Sequence, residues 1–299
     1  MTLDLAALHR FLSPPPTAPD GRVWSWVGPS AYPYDEATAL IGRLGLGGRL
    51  GDASRSTAES LGRLLDRLVL TQGALGREGT RYVFDTALAL PLLSGTAFEI
   101  ALEYVRSGLV TRRGSSREDA RRWSETFGPH LIKAAAELAL AGDAAFARDV
   151  TAELVALHFQ DGRFEAGPTE PATYVHAHCY AVEGLVMLGG YAPLVQQATD
   201  WLAERVASDG SLPAWVGLDD ERRPADIVAQ AARLFLRDRA RYERVLGRCF
   251  GRLGELQDPV TGGLRYDDSI PHVNVWASAF ALDAVLAQGD LGPSPRRLV

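Results

Sequence analysis

Six polar residues recur at nearly equal intervals, and each begins a run rich in alanine and leucine. They are Asp35, Asp85, His130, His176, Asp226 and Asn274, which are separated by 50, 45, 46, 50 and 48 residues. Carboxylates and imidazoles are the groups that most often donate and accept protons in catalysis. The sequence therefore predicts Asp85 and Asp226 as an acid/base pair whose surroundings separate their pKa values, with Asp35 as a further acid. Aspartate at the start of a helix is also a common N-cap, so a purely structural role stays open.

Two histidines, His176 and His178, are predicted to assist proton transfer. Residues two positions apart in a helix point about 200° apart around its axis, so at most one of the two faces a shared cavity. The sequence leaves open which one does. Aromatic rings, amides and a guanidinium near the same positions suit stacking and hydrogen bonding to a polar ligand. The expected binding residues are Tyr34, Arg81, Tyr82, His130, Trp215, Gln230, Tyr266, Asn274 and Trp276.

The elements that carry these residues are two kinds of helix in alternation. One kind is apolar on nearly all sides and is predicted to be buried: Tyr34 to Leu44, Phe84 to Gly95, Phe127 to Gly142, Thr173 to Gly190, Ala225 to Asp238 and Val273 to Gln288. The other kind has an apolar stripe and a charged face: Leu3 to Leu12, Ser54 to Leu70, Phe98 to Val110, Ala144 to Phe159, Leu194 to Ala207 and Ala240 to Leu256. A period of about 48 residues is typical of a repeat architecture. The pattern predicts one all-α domain over residues 1–299, with six hairpins in two rings and the N-terminal helix closing the outer ring.

The loops indicate which rim of this barrel holds the site. Connections that enter the buried helices are long, whereas the turns that leave them, such as Gly142-Asp143, are short. Long loops in a compact domain are usually functional. Six helix N-termini with their unpaired amide groups would converge at that rim, and they favour an anionic group on the ligand.

Two motifs in this pattern, Gln160-Asp161-Gly162 and Phe84-Asp85-Thr86-Ala87, accompany the helical run from His178 to Leu185. With the double ring, they make the chain resemble the (α/α)6 toroids. These comprise the six-hairpin glycosidase-like group and the group of terpenoid cyclases and protein prenyltransferases. The resemblance covers nearly the whole chain and implies the fold, which hosts several activities. Sugar-active toroids work with inward-pointing Asp, Glu and His and without a metal.

The expected function is therefore that of a carbohydrate-active enzyme, or one acting on a similar polar, anionic small molecule, by metal-free acid/base chemistry. Hydrolysis, elimination and epimerisation all stay open. The alternative is an isoprenoid or polyene cyclase-like or prenyltransferase-like enzyme of secondary metabolism, and a second alternative is a non-catalytic ligand-binding toroid. The cavity wall distinguishes the first two: carboxylates, His and Asn favour sugar chemistry, and a cage of aromatic rings favours cyclisation.

Composition excludes several other partners. A net charge of −6 and a pI near 5.6 argue against nucleic acid as a partner. The two cysteines, Cys179 and Cys249, lack metal-ligand spacing, so neither a metal nor another cofactor is expected. No apolar run approaches the ~20 residues of a membrane span, and Met1 to Leu12 is too short and too charged for a signal peptide. We expect a cytoplasmic protein, and the sequence does not indicate its oligomeric state.

Overall fold

A computed structural model describes residues 3–120, 122–166 and 172–289 of the chain. Among these residues, six helices form an inner ring: α2 (Asp35–Leu46), α4 (Val83–Ala89), α6 (Leu131–Leu140), α8 (Val175–Leu188), α10 (Ala225–Phe235) and α12 (Val275–Gly289). Six more surround them: α1 (Leu5–Leu12), α3 (Ser54–Gln72), α5 (Gly95–Val110), α7 (Ala144–His158), α9 (Ala192–Ala203) and α11 (Arg239–Leu256). Short 3₁₀ turns occupy Gly51–Ala53, Leu90–Leu92, Trp123–Glu125 and Leu236–Asp238.

The inner ring is closed. Each inner helix contacts the next one in the chain, and α12 contacts α2. The outer helix α1 packs on α12, as the sequence predicts for the N-terminal helix. Inner helices are buried along nearly their whole length, and in α10 every residue is buried. The predicted alternation of buried and striped helices is thereby confirmed, and the chain has the (α/α)6 toroid fold.

Small residues allow the inner helices to approach closely. Gly184 of α8 lies against the backbone of α6, where a Cβ atom would come within 2.6 Å of the Ile132 carbonyl carbon and the Lys133 nitrogen. Any larger residue would push the two helices apart. The alanine and glycine content of the buried runs therefore reflects helix packing.

Within the described part of the chain, nine strands of two residues each lie in the loops that enter the inner helices: β1 (Trp26–Val27), β2 (Gly76–Arg77), β3 (Thr80–Arg81), β4 (Phe159–Gln160), β5 (Arg163–Phe164), β6 (Thr173–Tyr174), β7 (Trp215–Val216), β8 (Leu264–Arg265) and β9 (Val273–Asn274). All pairs are antiparallel, and the sheet order β1-β9-β8 joins the first entry loop to the last. Trp26 pairs with Asn274 in this sheet. The Gln257 side chain also donates to the Asp4 carbonyl at 2.9 Å and accepts from the Asp4 N–H at 2.7 Å. The two ends of the ring are thus joined at the entry-loop rim.

A chain of buried ion pairs crosses the inner ring. Glu183 lies 2.6 Å from the Lys133 ammonium and 3.0 Å from the Arg233 guanidinium, and Arg233 lies 3.0 Å from Asp283. Arg43 pairs with Glu137 at 2.7 Å. These helices are predicted from the sequence to be apolar on nearly all sides, so the network was not predicted. The pairing explains how buried runs accommodate charges, because a buried ion needs a partner.

No helix among the described residues is long and apolar enough to cross a membrane.

Candidate active site

A cavity of about 450 Å³ opens at the rim where the inner helices begin. Its wall combines residues from the first turns of these helices with residues from the entry loops. They are Tyr32, Tyr34, Glu36, Arg77, Tyr82, Phe84, Asp85, Arg122, Trp123, Ser124, Tyr174, His176, Trp215, Arg222, Asp226, Tyr266 and Trp276. The volume falls within the range of roughly 300–1,000 Å³ that is usual for small-molecule sites. The cavity lies at the rim that the loop lengths predict.

Tyrosines occupy the same structural position before three inner helices. Tyr34, Tyr82 and Tyr174 are the N-cap residues of α2, α4 and α8, with extended backbones and no side-chain capping bond. Their rings form part of the cavity wall. The Val83 and Val175 N–H groups donate to the Gly114 and Ala214 carbonyls, but no side chain caps these helix starts, which keep a positive potential that favours anions.

Three acids and one histidine contribute the proton-transfer groups of the cavity. Asp226 accepts a hydrogen bond from the Trp276 indole N–H at 3.1 Å and lies 3.7 Å from His176 Nδ1. Glu36 accepts hydrogen bonds from two tyrosines: the Tyr180 hydroxyl at 2.7 Å on Oε1 and the Tyr34 hydroxyl on Oε2. Asp226 and Glu36 thus both have hydrogen-bond donors.

Asp85 is held differently. Its side chain is buried, and its Oδ2 accepts no hydrogen bond from any described residue. Burial raises the pKa of Asp85 well above its usual value, and the negative charge of Glu36 raises it further, whereas Arg77 opposes the shift. The raised pKa favours the protonated form of Asp85, which is the form that a general acid needs.

Nine of the seventeen lining residues are aromatic. Tyr174 stacks at a tilt on both Trp123 and Trp215, with ring centroids 4.7 and 4.8 Å away. Tyr34 meets Trp276 edge to face at 5.7 Å. The wall is thus a continuous aromatic cage that surrounds a small number of ionisable groups.

Arg77 places a cation against three rings of this cage. Its guanidinium lies 5.7 Å from the ring centroids of Tyr32, Tyr34 and Tyr82, and it donates to the Tyr32 hydroxyl at 2.8 Å. Arg122 and Arg222 line the same cavity, with Arg222 paired to Asp220 at its mouth. These cations add to the positive potential of the helix N-termini.

Eight of the residues that the sequence analysis selects line this cavity: Tyr34, Tyr82, Asp85, His176, Trp215, Asp226, Tyr266 and Trp276. His178 lies behind the wall, where Nδ1 accepts from the Phe164 N–H and Nε2 bonds the Ala198 carbonyl, both at 3.2 Å. His176 is thus the histidine of the pair that faces the cavity.

The remaining selected residues also lie outside the cavity wall. Asp35 binds Arg22 at 3.2 Å and the Gly76 N–H at 2.9 Å, which ties two entry loops together. The Asn274 Oδ1 accepts from the Ala277 N–H at 2.8 Å in the first turn of α12. Arg81 is exposed on β3, and Gln230 is fully buried one turn below Asp226.

Glu36 is not among the residues selected from the sequence. Its side chain is nevertheless buried and lines the cavity. Glu36 is the second residue of α2, and His176, Asp226 and Trp276 are the second residues of their helices. Equivalent positions in a ring of repeats face the same central axis. An alignment of the helix starts residue by residue would therefore have selected Glu36.

A second cavity, of about 500 Å³, lies at the opposite rim, between the C-terminal ends of inner helices. Its charged residues are Arg43, Arg49, Glu137 and Asp283. These four side chains belong to the ion pairs of the inner ring. In the described part of the chain, no group of three or more His, Cys, Asp or Glu side chains is arranged to hold a metal ion.

The buried His130 is expected to make the stability of the protein depend on pH. Its ring packs against Phe84 and Trp123, at 5.6 and 5.1 Å between centroids, and neither nitrogen bonds a described residue. Burial lowers the pKa of His130 to about 3 and that of His178 to about 4. Both lie below the usual value of 6.5, so the unfolded chain binds protons that the folded chain excludes.

We expect thermal stability to be complete above about pH 6.5 and to fall as the pH drops toward 3 to 4. His130→Phe should reduce the number of protons taken up on unfolding by about one, so the stability should depend less on pH. Phe fits the aromatic site, and the exchange removes no hydrogen bond to a described residue. Melting temperatures of both proteins from pH 7 to pH 4 provide the measurement. The same change at the partly exposed His272 is the control. Identical pH profiles for wild type and His130→Phe would contradict the assignment.

The fold is shared by several known enzymes. The chain is similar to the type II terpene cyclase MstE from Scytonema, with a TM-score of 0.66 and 16% identity over 94% of this chain and 96% of that one. It is also similar to a glycosyl hydrolase of family 88 from Bacteroides vulgatus, with a TM-score of 0.61 and 11% identity over 94% and 96% of the two chains. A polysaccharide lyase aligns with a TM-score of 0.62 and 9% identity over 97% and 98%. These similarities establish the toroid fold, and both enzyme classes that the sequence suggests occur among its members.

No protein-family model matches the sequence, and no curated protein matches it either.

Proposed function

We propose that the protein is an enzyme that cyclises an isoprenoid or related polyene carrying an anionic group, with Asp85 as the proton donor. The observation that carries this proposal is the buried Asp85, whose Oδ2 accepts no hydrogen bond from the described residues, inside a cage of nine aromatic rings. By the criterion of the cavity wall, such a cage favours cyclisation over sugar chemistry.

Each part of the cage has a role in that reaction. Protonation of a carbon–carbon double bond by Asp85 creates a carbocation, and neighbouring double bonds attack it to form rings. The faces of aromatic rings attract cations, and the attraction is stronger where water is excluded. Rings such as Tyr174, Trp123 and Trp276 would therefore stabilise successive cations and shape the folded chain.

The anionic group of the substrate would bind at Arg77, near the starts of α2 and α4. Arg77 is held by the hydroxyl of Tyr32 and by three tyrosine rings, and the adjacent helix N-termini add to the positive potential. The structures of MstE include complexes with geranylgeranyl dihydroxybenzoate as substrate and merosterolic acid A as product. A compound of the first kind is accordingly the starting probe for this chain.

A second candidate function is the carbohydrate chemistry that the sequence favours. Its specific support is Asp226 beside His176, since the 3.7 Å separation places two proton-transfer groups on one wall opposite the α4 side that carries Asp85. Glycoside hydrolysis needs an acid and a second carboxylate across the scissile bond. Asp85 and Asp226 would take these roles.

We expect the purified protein to convert geranylgeranyl dihydroxybenzoate, or a shorter polyprenyl analogue, into a product of unchanged mass with fewer double bonds. Liquid chromatography with mass spectrometry and proton NMR measures this conversion. Matched reactions with anionic oligosaccharides test the second candidate. Cleavage of an oligosaccharide without polyene conversion would overturn the cyclase proposal. Tight binding of the polyprenyl probe without any product would instead favour the ligand-binding toroid.

A further inference from the structure

Two acids of the cavity, Glu36 and Asp85, differ in the hydrogen bonds that they accept. Both oxygens of Glu36 accept a bond from a tyrosine hydroxyl, whereas the Oδ2 of Asp85 accepts none among the described residues. Hydroxyl donors stabilise a charged carboxylate, whereas a buried carboxyl with only its own backbone N–H as a donor favours its neutral form. We propose that Tyr34 and Tyr180 hold Glu36 as an anion, so that Glu36 is the proton acceptor that partners the proton donor Asp85. This inference rests on the proposed function for its chemistry.

Tyr180 is a positioning residue here, because it lies below the cavity and touches Glu36 through its hydroxyl. It is fully buried on α8, and the Lys133 ammonium lies 4.9 Å from the centre of its ring. Burial and the nearby Glu36 charge raise the pKa of Tyr180 well above its usual value, so the hydroxyl remains a donor. Tyr34 has a raised pKa for the same two reasons.

The charges that surround the pair come from three directions. Asp35 on α2 raises the pKa of Asp85, and Arg77 on β2 lowers it. Tyr32 in the first entry loop interacts with both carboxyls. Tyr180 of α8 interacts with Glu36 on α2 and with Asp226 on α10. Glu36 and Asp85 lie on adjacent inner helices that pack together, and both line the cavity.

Asp85 and Glu36 together return to their starting protonation states in each reaction cycle. The Asp85 proton adds to an alkene carbon, and electron pairs of further double bonds form the ring bonds. A C–H bond beside the final cation then gives its proton to Glu36, and its electron pair becomes a new double bond. Each carboxylate oxygen of Glu36 has a lone pair left for this proton, because each accepts one tyrosine bond. Transfer of that proton from Glu36 to Asp85 restores the starting state, so the product is an isomer of the substrate.

Infrared titration of the substrate-free protein tests the assignment. The difference spectrum between wild type and Asp85→Asn isolates the Asp85 carbonyl band, and the difference with Glu36→Gln isolates that of Glu36. At pH 7 we expect a protonated-carboxyl band that Asp85→Asn removes and Glu36→Gln retains. Glu36→Gln should move the Asp85 midpoint to lower pH, because it removes the neighbouring negative charge.

Tyr180→Phe and Tyr34→Phe test the two hydroxyls. Each should raise the Glu36 midpoint and lower that of Asp85, because the charged form of Glu36 loses a donor. Tyr266→Phe is the matched control, since Tyr266 lines the cavity and interacts with Asp226 rather than with Glu36. Should Tyr180→Phe fail to fold, Tyr34→Phe and Glu36→Gln still decide the matter.

Two results would overturn the inference: a neutral-pH band that belongs to Glu36, or tyrosine variants with the same midpoints as Tyr266→Phe. Because the titration needs no substrate, its outcome is separate from the polyene assay. Expected midpoints without polyene conversion would refute the cyclase and retain the acid pair.

Discussion

Asp85→Asn should lower the rate of product formation by roughly 100-fold to 10,000-fold, the usual loss when a general acid is removed. Asparagine has nearly the shape of a protonated aspartic acid but carries no transferable proton. Because burial favours the neutral form of Asp85, the exchange should alter the free energy of unfolding by less than ~1 kcal/mol. Initial rates and chemical denaturation of the same preparations measure both effects.

Asp35→Asn is the matched control, because Asp35 lies in the first turn of an inner helix as Asp85 does but outside the cavity. Its carboxylate binds Arg22 and the Gly76 N–H, so the variant should lose about 1–3 kcal/mol of stability and keep its activity. Full activity of Asp85→Asn, or equal loss of activity in both variants, would exclude Asp85 as the proton donor.

Glu183→Gln should destabilise the protein by about 3–5 kcal/mol, the usual cost of breaking a buried ion pair. The substitution removes the carboxylate that Lys133 and Arg233 share, at a site with no solvent exposure. Burial already lowers the pKa of Lys133 to about 8, which shows how costly its charge is there. Denaturant unfolding at pH 7 measures the loss.

The control for this prediction is Glu59→Gln on the outer helix α3. Glu59 pairs with Arg55 at 3.0 Å, but both side chains are exposed, so the variant should change stability by less than about 1 kcal/mol. If both glutamate variants unfold at the same denaturant concentration as wild type, the inner network contributes no measurable stability.

Helix periodicity and loop length were sufficient to predict the fold. The apolar runs became α2, α4, α6, α8, α10 and α12, within a few residues of the predicted limits. The largest difference is at Pro91, where the run from Phe84 to Gly95 leaves α-helical geometry at Leu90 and continues as a 3₁₀ turn. Proline removes a backbone donor and clashes with the preceding turn, which accounts for the early end.

The site was harder to predict, because a helix face depends on single-residue register. Asp35 and Glu36 are adjacent, yet one step along a helix turns a side chain by about 100°. Asp35 therefore binds the entry loops and Glu36 reaches the cavity. His176 and His178 differ in the same way. Arg77 and Trp123 were missed because loop residues follow no period.

The buried network did leave a signal in the sequence. Three charged residues recur at 50-residue intervals within runs that are otherwise apolar: Glu183, Arg233 and Asp283. Each is the ninth residue of its helix, which is about 12 Å along the axis from the rim. Charges of both signs at one level of a ring can pair with each other, and that rule would have predicted the contacts.

Closure of the ring determines when the cavity can exist during synthesis. The contact of α12 with α2 and the pairing of Trp26 with Asn274 join hairpins that are made first and last. Domains emerge from the ribosome N-terminal end first, and contacts between distant residues form slowly. The first five hairpins must therefore remain an open arc, in which the face of α2 that packs on α12 is uncovered. A nascent chain that stalls before α12 would present this face to chaperones, and proton-transfer chemistry could begin only after the last hairpin is released.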